Sequence, residues 1–348
     1  MRIAVDAMGG DFAPAEVVKG AVEAARLSDA EIVLVGQPDA IEQALAGVPR
    51  PANLTIRPAA GIVAMDDTPV TALKGSRQSS LAVAVEMVRD GEAQAVVSAG
   101  NSGAFMAVAT MRLRMVPGMQ RPGIGVFLPT PKGKRLLIDA GASADCKPRH
   151  LLEFAIMGST YTKYALGLDN PTVGLLSIGH EESKGNELVR ATYPLLRDSH
   201  LNFMGNIEGN HIFSGDADVV VCDGFVGNVV LKVGEGLADV IIKQIKAGIV
   251  SSAIAKIGAL MMKPVLRRLK ASFDYAEHGG ALLLGVNGIC VVSHGRSDAK
   301  AVRNAVTVAQ KAVASDVVSH MRAQCAALQP SPTNGDAESA AADASPQS

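Results

Sequence analysis

Ala95-Val-Val-Ser-Ala-Gly-Asn-Ser-Gly-Ala104 is the stretch from which the fold is read. It opens on a short apolar, β-branched run, the mark of a buried strand. It then breaks into small polar residues and glycines and leads into an apolar helix over 104–111. The same succession of run and burst recurs at Asp139-Ala-Gly-Ala-Ser143, Ser177-Ile-Gly-His180, Gly205-Asn-Ile-Glu-Gly209, Cys222-Asp-Gly-Phe-Val-Gly-Asn228 and Ser293-His-Gly-Arg296. Open parallel sheets bind ligands just beyond the carboxyl ends of their strands. Small residues there leave backbone N–H groups open to an anion. The expectation is one rim of a sheet that carries all six bursts and the site.

Working outward, Ile3-Ala-Val5 reads as a strand ending in Asp6-Ala-Met-Gly-Gly-Asp11. Pro14 stands near a helix start, and Val17, Ala21, Val22 and Ala25 share one helical face. Strands follow at 31–35, 54–56, 95–97, 136–138, 173–176, 201–204, 219–221 and 289–292, with helices over 39–46 and 79–88 and an irregular loop over 61–77. This alternation is the signature of βαβ units. It predicts an α/β fold, a mostly parallel sheet with helices on both faces and right-handed crossovers.

The bulk composition narrows the function. The 348 residues carry a net charge of −1, 3% aromatics and no Trp. Neither a basic excess nor a stacking platform is present, so nucleic acid is not expected as a partner. The four cysteines, Cys146, Cys222, Cys290 and Cys325, stand far apart and form no CxxC motif. No signal peptide or spanning run is recognised, and the expected location is the cytoplasm.

The bursts supply the chemistry. Ser98–Gly103 before a helix serves either as a tight βα turn or as an anion cradle. In His180-Glu-Glu-Ser-Lys-Gly-Asn186, Lys184 is either a cation beside backbone donors or a solvated lysine near a helix start. Asn228 is either an amide donor to a carbonyl oxygen or a turn residue. Asp6, Asp11 and Asp139 at strand ends are candidate orienters. The seven histidines show no metal-ligand spacing, and no nucleotide loop or nucleophile elbow is found. Neither metal nor cofactor is expected.

Six motifs, in order, carry a resemblance. Val5-Asp-Ala-Met-Gly-Gly-Asp11, Ser98–Ala104, Ile178–Asn186, Gly205–Gly209, Cys222–Val229 and Gly279-Gly-Ala-Leu-Leu-Leu-Gly-Val-Asn-Gly288 resemble the bacterial phosphate acyltransferases of phospholipid synthesis, the PlsX family. The resemblance runs from residue 2 to about residue 320. It implies a homodimeric three-layer α/β/α sandwich similar to phosphotransacetylases and isocitrate dehydrogenase-like enzymes. It also implies transfer of a fatty acyl group from acyl carrier protein to inorganic phosphate, for later use by a membrane glycerol-3-phosphate acyltransferase. On that reading Lys184, Asn228 and His180 are catalytic, and Asn101, Ser102, Gly103, Asp6, Asp139 and Gly227 bind substrate or phosphate. The chain departs from the family pattern at Ser143, at His211 and over Lys74-Gly-Ser-Arg-Gln-Ser-Ser80. Rival readings are a phosphotransacetylase using coenzyme A, a dehydrogenase of related fold, and a membrane-docked scaffold for lipid-synthesis enzymes.

Residues 1–327 read as one catalytic domain, with 328–348 a disordered tail too poor in large apolar residues to fold. From Gly236 to about Lys270 a protruding helix is expected, with Leu237, Ile241, Ile245 and Ile249 in one stripe. Ile254, Ile257, Leu260 and Met261 would form an apolar tip, beside Lys256, Lys263, Arg267, Arg268 and Lys270. Its periodicity fits a second subunit or a peripheral contact with the inner face of the membrane.

Overall fold

The structure, a computed structural model, describes residues 1–75, 78–266 and 279–326. Arg77, Arg267, Arg268, Lys270 and the 328–348 tail lie outside these residues. The described strands form a single sheet. Its members are β1 (Arg2–Asp6), β2 (Glu31–Gly36), β3 (Leu54–Pro58), β4 (Ala95–Ser98), β5 (Gly123–Thr130), β6 (Gly133–Ile138), β7 (Thr172–Ser177), β8 (Asn202–Glu208), β9 (Val219–Val221), β10 (Ala281–Leu284) and β11 (Ile289–Val292). The order across the sheet is β3-β2-β1-β4-β11-β10-β5-β6-β9-β7-β8.

Helices cover both faces. On one lie α1 (Ala15–Leu27), α6 (Pro148–Leu166), α7 (Glu187–Arg197), α10 (Ala299–Ala314) and α11 (Val317–Ala326), which share a core cluster with Ile3, Leu34, Leu136 and Val219. On the other lie α3 (Pro69–Gly75), α4 (Ser80–Arg89) and α5 (Ser102–Leu113), packed over Ala4, Val96 and Cys290. The remaining helices are α2 (Pro38–Leu45), α8 (Gly224–Val250) and α9 (Ala253–Met261). This is the expected three-layer α/β/α architecture. Val, Ile and Leu fill the strands because both sheet faces are buried.

The expectation of one rim is corrected. β1, β2, β3, β4 and β11 run parallel, as do β6, β7, β8 and β9. Between the two blocks stand three antiparallel pairings, β11–β10, β10–β5 and β5–β6. The second block therefore points against the first along the ladder. Each block has its own switch point, β1/β4 in the first and β9/β7 in the second. Twist turns the second block back towards the direction of the first. At about 20–25° per strand pair, the six pairs from β4 to β7 turn the strands by roughly 130°. Packing agrees: Ala140, Ala142 of the β6 turn and Leu231 of α8 join the core cluster of α4 and α5.

Three smaller expectations are also corrected. The 61–77 loop contains α3, started by Pro69 and by the Thr68 hydroxyl, which accepts from Thr71 N–H at 3.2 Å. Gly205 lies inside β8, which continues to Glu208. The protruding helix begins at Gly224 rather than Gly236, where the Asp223 carboxylate accepts from Val226 N–H at 2.9 Å, and it breaks after Val250. Ser252 then caps α9. Of the 27 residues of α8, the buried ones are Gly224 and Gly227. Among the described residues no helix is long and apolar enough to cross a membrane.

Candidate active site

At the second switch point, neighbouring strands β9 and β7 end side by side. The turn after β9 opens α8, whose fifth residue is Asn228; the turn after β7 carries Lys184 and His180. Strands lie about 4.8 Å apart, so the structure brings the loops of these three sequence-predicted residues together. Lys184 is exposed and makes no ion pair among the described residues. Its stem lies on Gly179, where an added Cβ would come within 2.9 Å of Lys184 Cγ. Asn228 is exposed in the first turns of α8, over Gly141. His180 places Nδ1 3.2 Å from the Asn206 carbonyl, which accepts only, so Nδ1 carries the hydrogen. Its Nε2 faces Glu208 at 3.5 Å, and its ring stacks on His211 with centroids 5.0 Å apart.

Asp139 and Gly227 have a different place from the one expected. The Asp139 side chain is fully buried and turned into the main chain. It accepts from Ile124, Gly141 and Ala142 N–H at 2.9–3.0 Å and from Ser143 N–H at 2.7 Å. Burial pushes this carboxyl above its ordinary value, and the four N–H donors oppose the rise. Its oxygens are taken up by the main chain, and among the described residues its part is to shape the turn after β6. Gly227 N–H donates to Asp223 O at 2.9 Å within the helix. Its missing Cβ lets α8 rest on the Asp139 carbonyl.

The first switch point gathers the turns after β1, β4 and β11. Asp11 N–H donates to Gly295 O at 2.8 Å, and Ser293 N–H to Ser98 O at 2.8 Å. Asp6, assigned to phosphate from sequence, is buried and accepts from the Ser98 hydroxyl at 2.7 Å. Burial pushes its carboxyl up, against hydrogen bonds that pull it down. Asn101 is likewise engaged within the chain. Its Oδ1 caps α5 by accepting from Ala104 N–H at 3.0 Å, and its Nδ2 donates to Met65 O and Asp67 O, both at 2.8 Å. Ser102 and Gly103 do lie at the N-terminus of α5, and their N–H groups have no partner among the described residues.

α8 reaches from the second switch point towards the turn after β11. His294 is pushed below its ordinary value by burial first and then by Lys232 of α8, while Glu235 of α8 and Asp11 oppose this. Lys232 and Glu235 pair at 2.9 Å. His294, Arg296 and Lys232 received no role from sequence, although Ser293–Arg296 was one of the bursts. The position of that burst beside β4 was the available signal.

The thiols are not poised for attack. Burial pushes Cys146 up to about 12 and holds Cys222 well above the usual thiol value. Among the described residues no three His, Cys, Asp or Glu side chains are grouped to hold a metal. The site offers helix N-termini, an ammonium and a primary amide: groups that position an anion and stabilise developing negative charge.

Residues 1–320 match the family model described as fatty acid synthesis protein. The phosphate acyltransferase of Desulfitobacterium hafniense is 51% identical over 323 residues, 92% of this chain and 97% of that protein. The phosphate acyltransferase of Heliobacterium modesticaldum is 51% identical over 315 residues, 90% and 94% of the two chains. Among solved structures, the EutD phosphotransacetylase from Staphylococcus aureus superposes with TM-score 0.58 at 16% identity, covering 89% of this chain and 94% of that one. A phosphotransacetylase from Streptococcus pyogenes gives TM-score 0.58 at 18% identity, with coverage of 89% and 94%. These structural likenesses are of fold.

Proposed function

Because this chain belongs to the fatty acid synthesis protein family and is a phosphate acyltransferase, we propose that it moves a fatty acyl group from acyl carrier protein to inorganic phosphate. The observation that carries the reading is that β7 and β9 are neighbours in the sheet, so that the loops bearing Lys184 and Asn228 leave adjacent strand ends. A phosphate oxygen attacks the thioester carbonyl carbon, and a C–O bond forms as the carbonyl becomes an oxyanion. The C–S bond then breaks and acyl phosphate and thiolate separate; the thiolate takes up a proton from solvent. Phosphate is already nucleophilic and thiolate leaves readily, so the protein mainly positions and stabilises charge. Lys184 meets the phosphate and the oxyanion, the Asn228 amide donates to the carbonyl oxygen, and Ser102 and Gly103 N–H groups complete the anion cradle. His180 is placed to hold or pass a proton at Nε2.

Mass spectrometry of pure protein given acylated carrier protein and isotopically labelled phosphate tests this. Acyl phosphate bearing the label is expected. Turnover of acyl-coenzyme A but not the carrier thioester would favour the phosphotransacetylase alternative. Partner binding without any turnover would favour a scaffold.

The reading extends to assembly and location. A second copy covers the exposed Leu237, Ile241 and Ile245 of α8, making a homodimer. The α9 tip, where Ile254 is 83%, Leu260 70% and Met261 81% exposed and Ile257 stands between, meets lipid. Lys256 and Lys263 face anionic headgroups. A cytoplasmic enzyme docked this way delivers acyl phosphate to a membrane glycerol-3-phosphate acyltransferase. The double variant Ile254→Glu, Leu260→Glu is expected to stay dimeric and active on carrier thioester while losing liposome binding. Flotation with liposomes reads this, and undiminished binding would refute the lipid contact.

A further inference from the structure

We propose that Asn206 of β8 is a positioning residue that holds the 178–186 loop so that Lys184 meets the transferring phosphate; this rests on the role given to Lys184 above. The Asn206 amide is buried beside Leu175 of β7. Its Nδ2 donates to the Glu181 carbonyl at 2.8 Å. The Lys184 main-chain N–H donates to that same carbonyl at 3.0 Å. One oxygen thus ties the strand to the residue that bears the ammonium. From the other side, Gly179 supports the lysine stem, with room for no Cβ.

The amide is not there for packing. Asn206 Oδ1 is buried with no partner among the described residues, as is Ser177 Oγ. An orphaned acceptor in a strand interior is unfavourable, and a leucine would fill the place without it. What asparagine adds at 206 is the bond to Glu181. The Asn206 backbone carbonyl separately holds His180, and a side-chain substitution leaves that contact in place.

The test varies phosphate at saturating carrier thioester in Asn206→Leu, Asn206→Ala, Gly179→Ala and Lys184→Ala, with the thermal midpoint of each. Asn206→Leu is expected to melt no lower than the native protein yet lose about ten-fold in kcat/KM for phosphate, the worth of one misplaced contact. Asn206→Ala falls as far, and Gly179→Ala does so by displacing the lysine stem directly. The double variant Lys184→Ala, Asn206→Ala is expected to be no slower than Lys184→Ala alone, because both act through one ammonium. Native kcat/KM in Asn206→Leu, or a further ten-fold loss in the double variant, overturns the inference while the role of Lys184 stands. Full activity in Lys184→Ala overturns that role and the route through it together.

Discussion

Lys184→Ala is expected to lower acyl phosphate formation by about two to three orders of magnitude, the usual loss when a donor aimed at a developing oxyanion is removed. The side chain is exposed and makes no ion pair among the described residues, so little else changes. Substitutions at such surface positions shift stability by about 0.5 kcal/mol or less, and the melting curve should overlay that of the native protein. Lys184→Arg should recover only part of the rate, since a planar fork does not replace a compact point charge on the same stem. Rates at saturating phosphate and carrier thioester measure the effect. A Lys184→Ala enzyme turning over at the native rate would remove the ammonium from the chemistry.

Asp139→Ala should produce the largest loss of stability. Four main-chain N–H groups, from Ile124, Gly141, Ala142 and Ser143, end on this carboxylate. Ala leaves the Ile124 and Ser143 N–H groups without an acceptor in the interior and those of Gly141 and Ala142 in a part-buried turn; at about 1 kcal/mol or more for each fully buried group, the loss is roughly 2 to 4 kcal/mol. For a protein of this size that is a fall in melting temperature on the order of 10 °C. Activity should fall as well, because Asp139 O is the seat of Gly227 and hence of the first turn of α8, from which Asn228 follows. Thermal melting of the purified variant decides. A midpoint unchanged from the native protein would show that the turn holds its shape without the carboxylate.

Much of the fold was legible along the chain, for local reasons. Strands such as Ile32–Val35 and Val219–Val221 are unbroken apolar runs because helices bury both their faces, and the bursts mark where chains leave the sheet. β5 and β10 carry no such signal, because Gly123, Gly125 and Pro129 dilute one and Gly279-Gly280 masks the start of the other. With those two strands unseen, the reversal between the blocks was invisible, since only long-range pairing sets strand direction. The site shows the same division. That Lys184, Asn228, Ser102 and Gly103 sit at strand ends follows from local pattern. Whether a polar residue in a glycine-rich turn looks outward or inward does not. Asn101 and Asp139 look inward because main-chain groups distant in sequence claim them, and Asp6 because the Ser98 hydroxyl does. Asn206 was hidden for the same reason: its partner, Glu181, lies on a different strand's loop.

The rooting of α8 by its first turn has a mechanical consequence. The helix is about 40 Å long at 1.5 Å per residue, and its pivot is the glycine contact under Asn228. It is a lever whose fulcrum lies beside the amide proposed to meet the carbonyl oxygen. A grip on its far end, by whatever surface, works with the full length of that arm, and a tilt of several ångströms outside arrives at the fulcrum as a small rotation of the Asn228 amide.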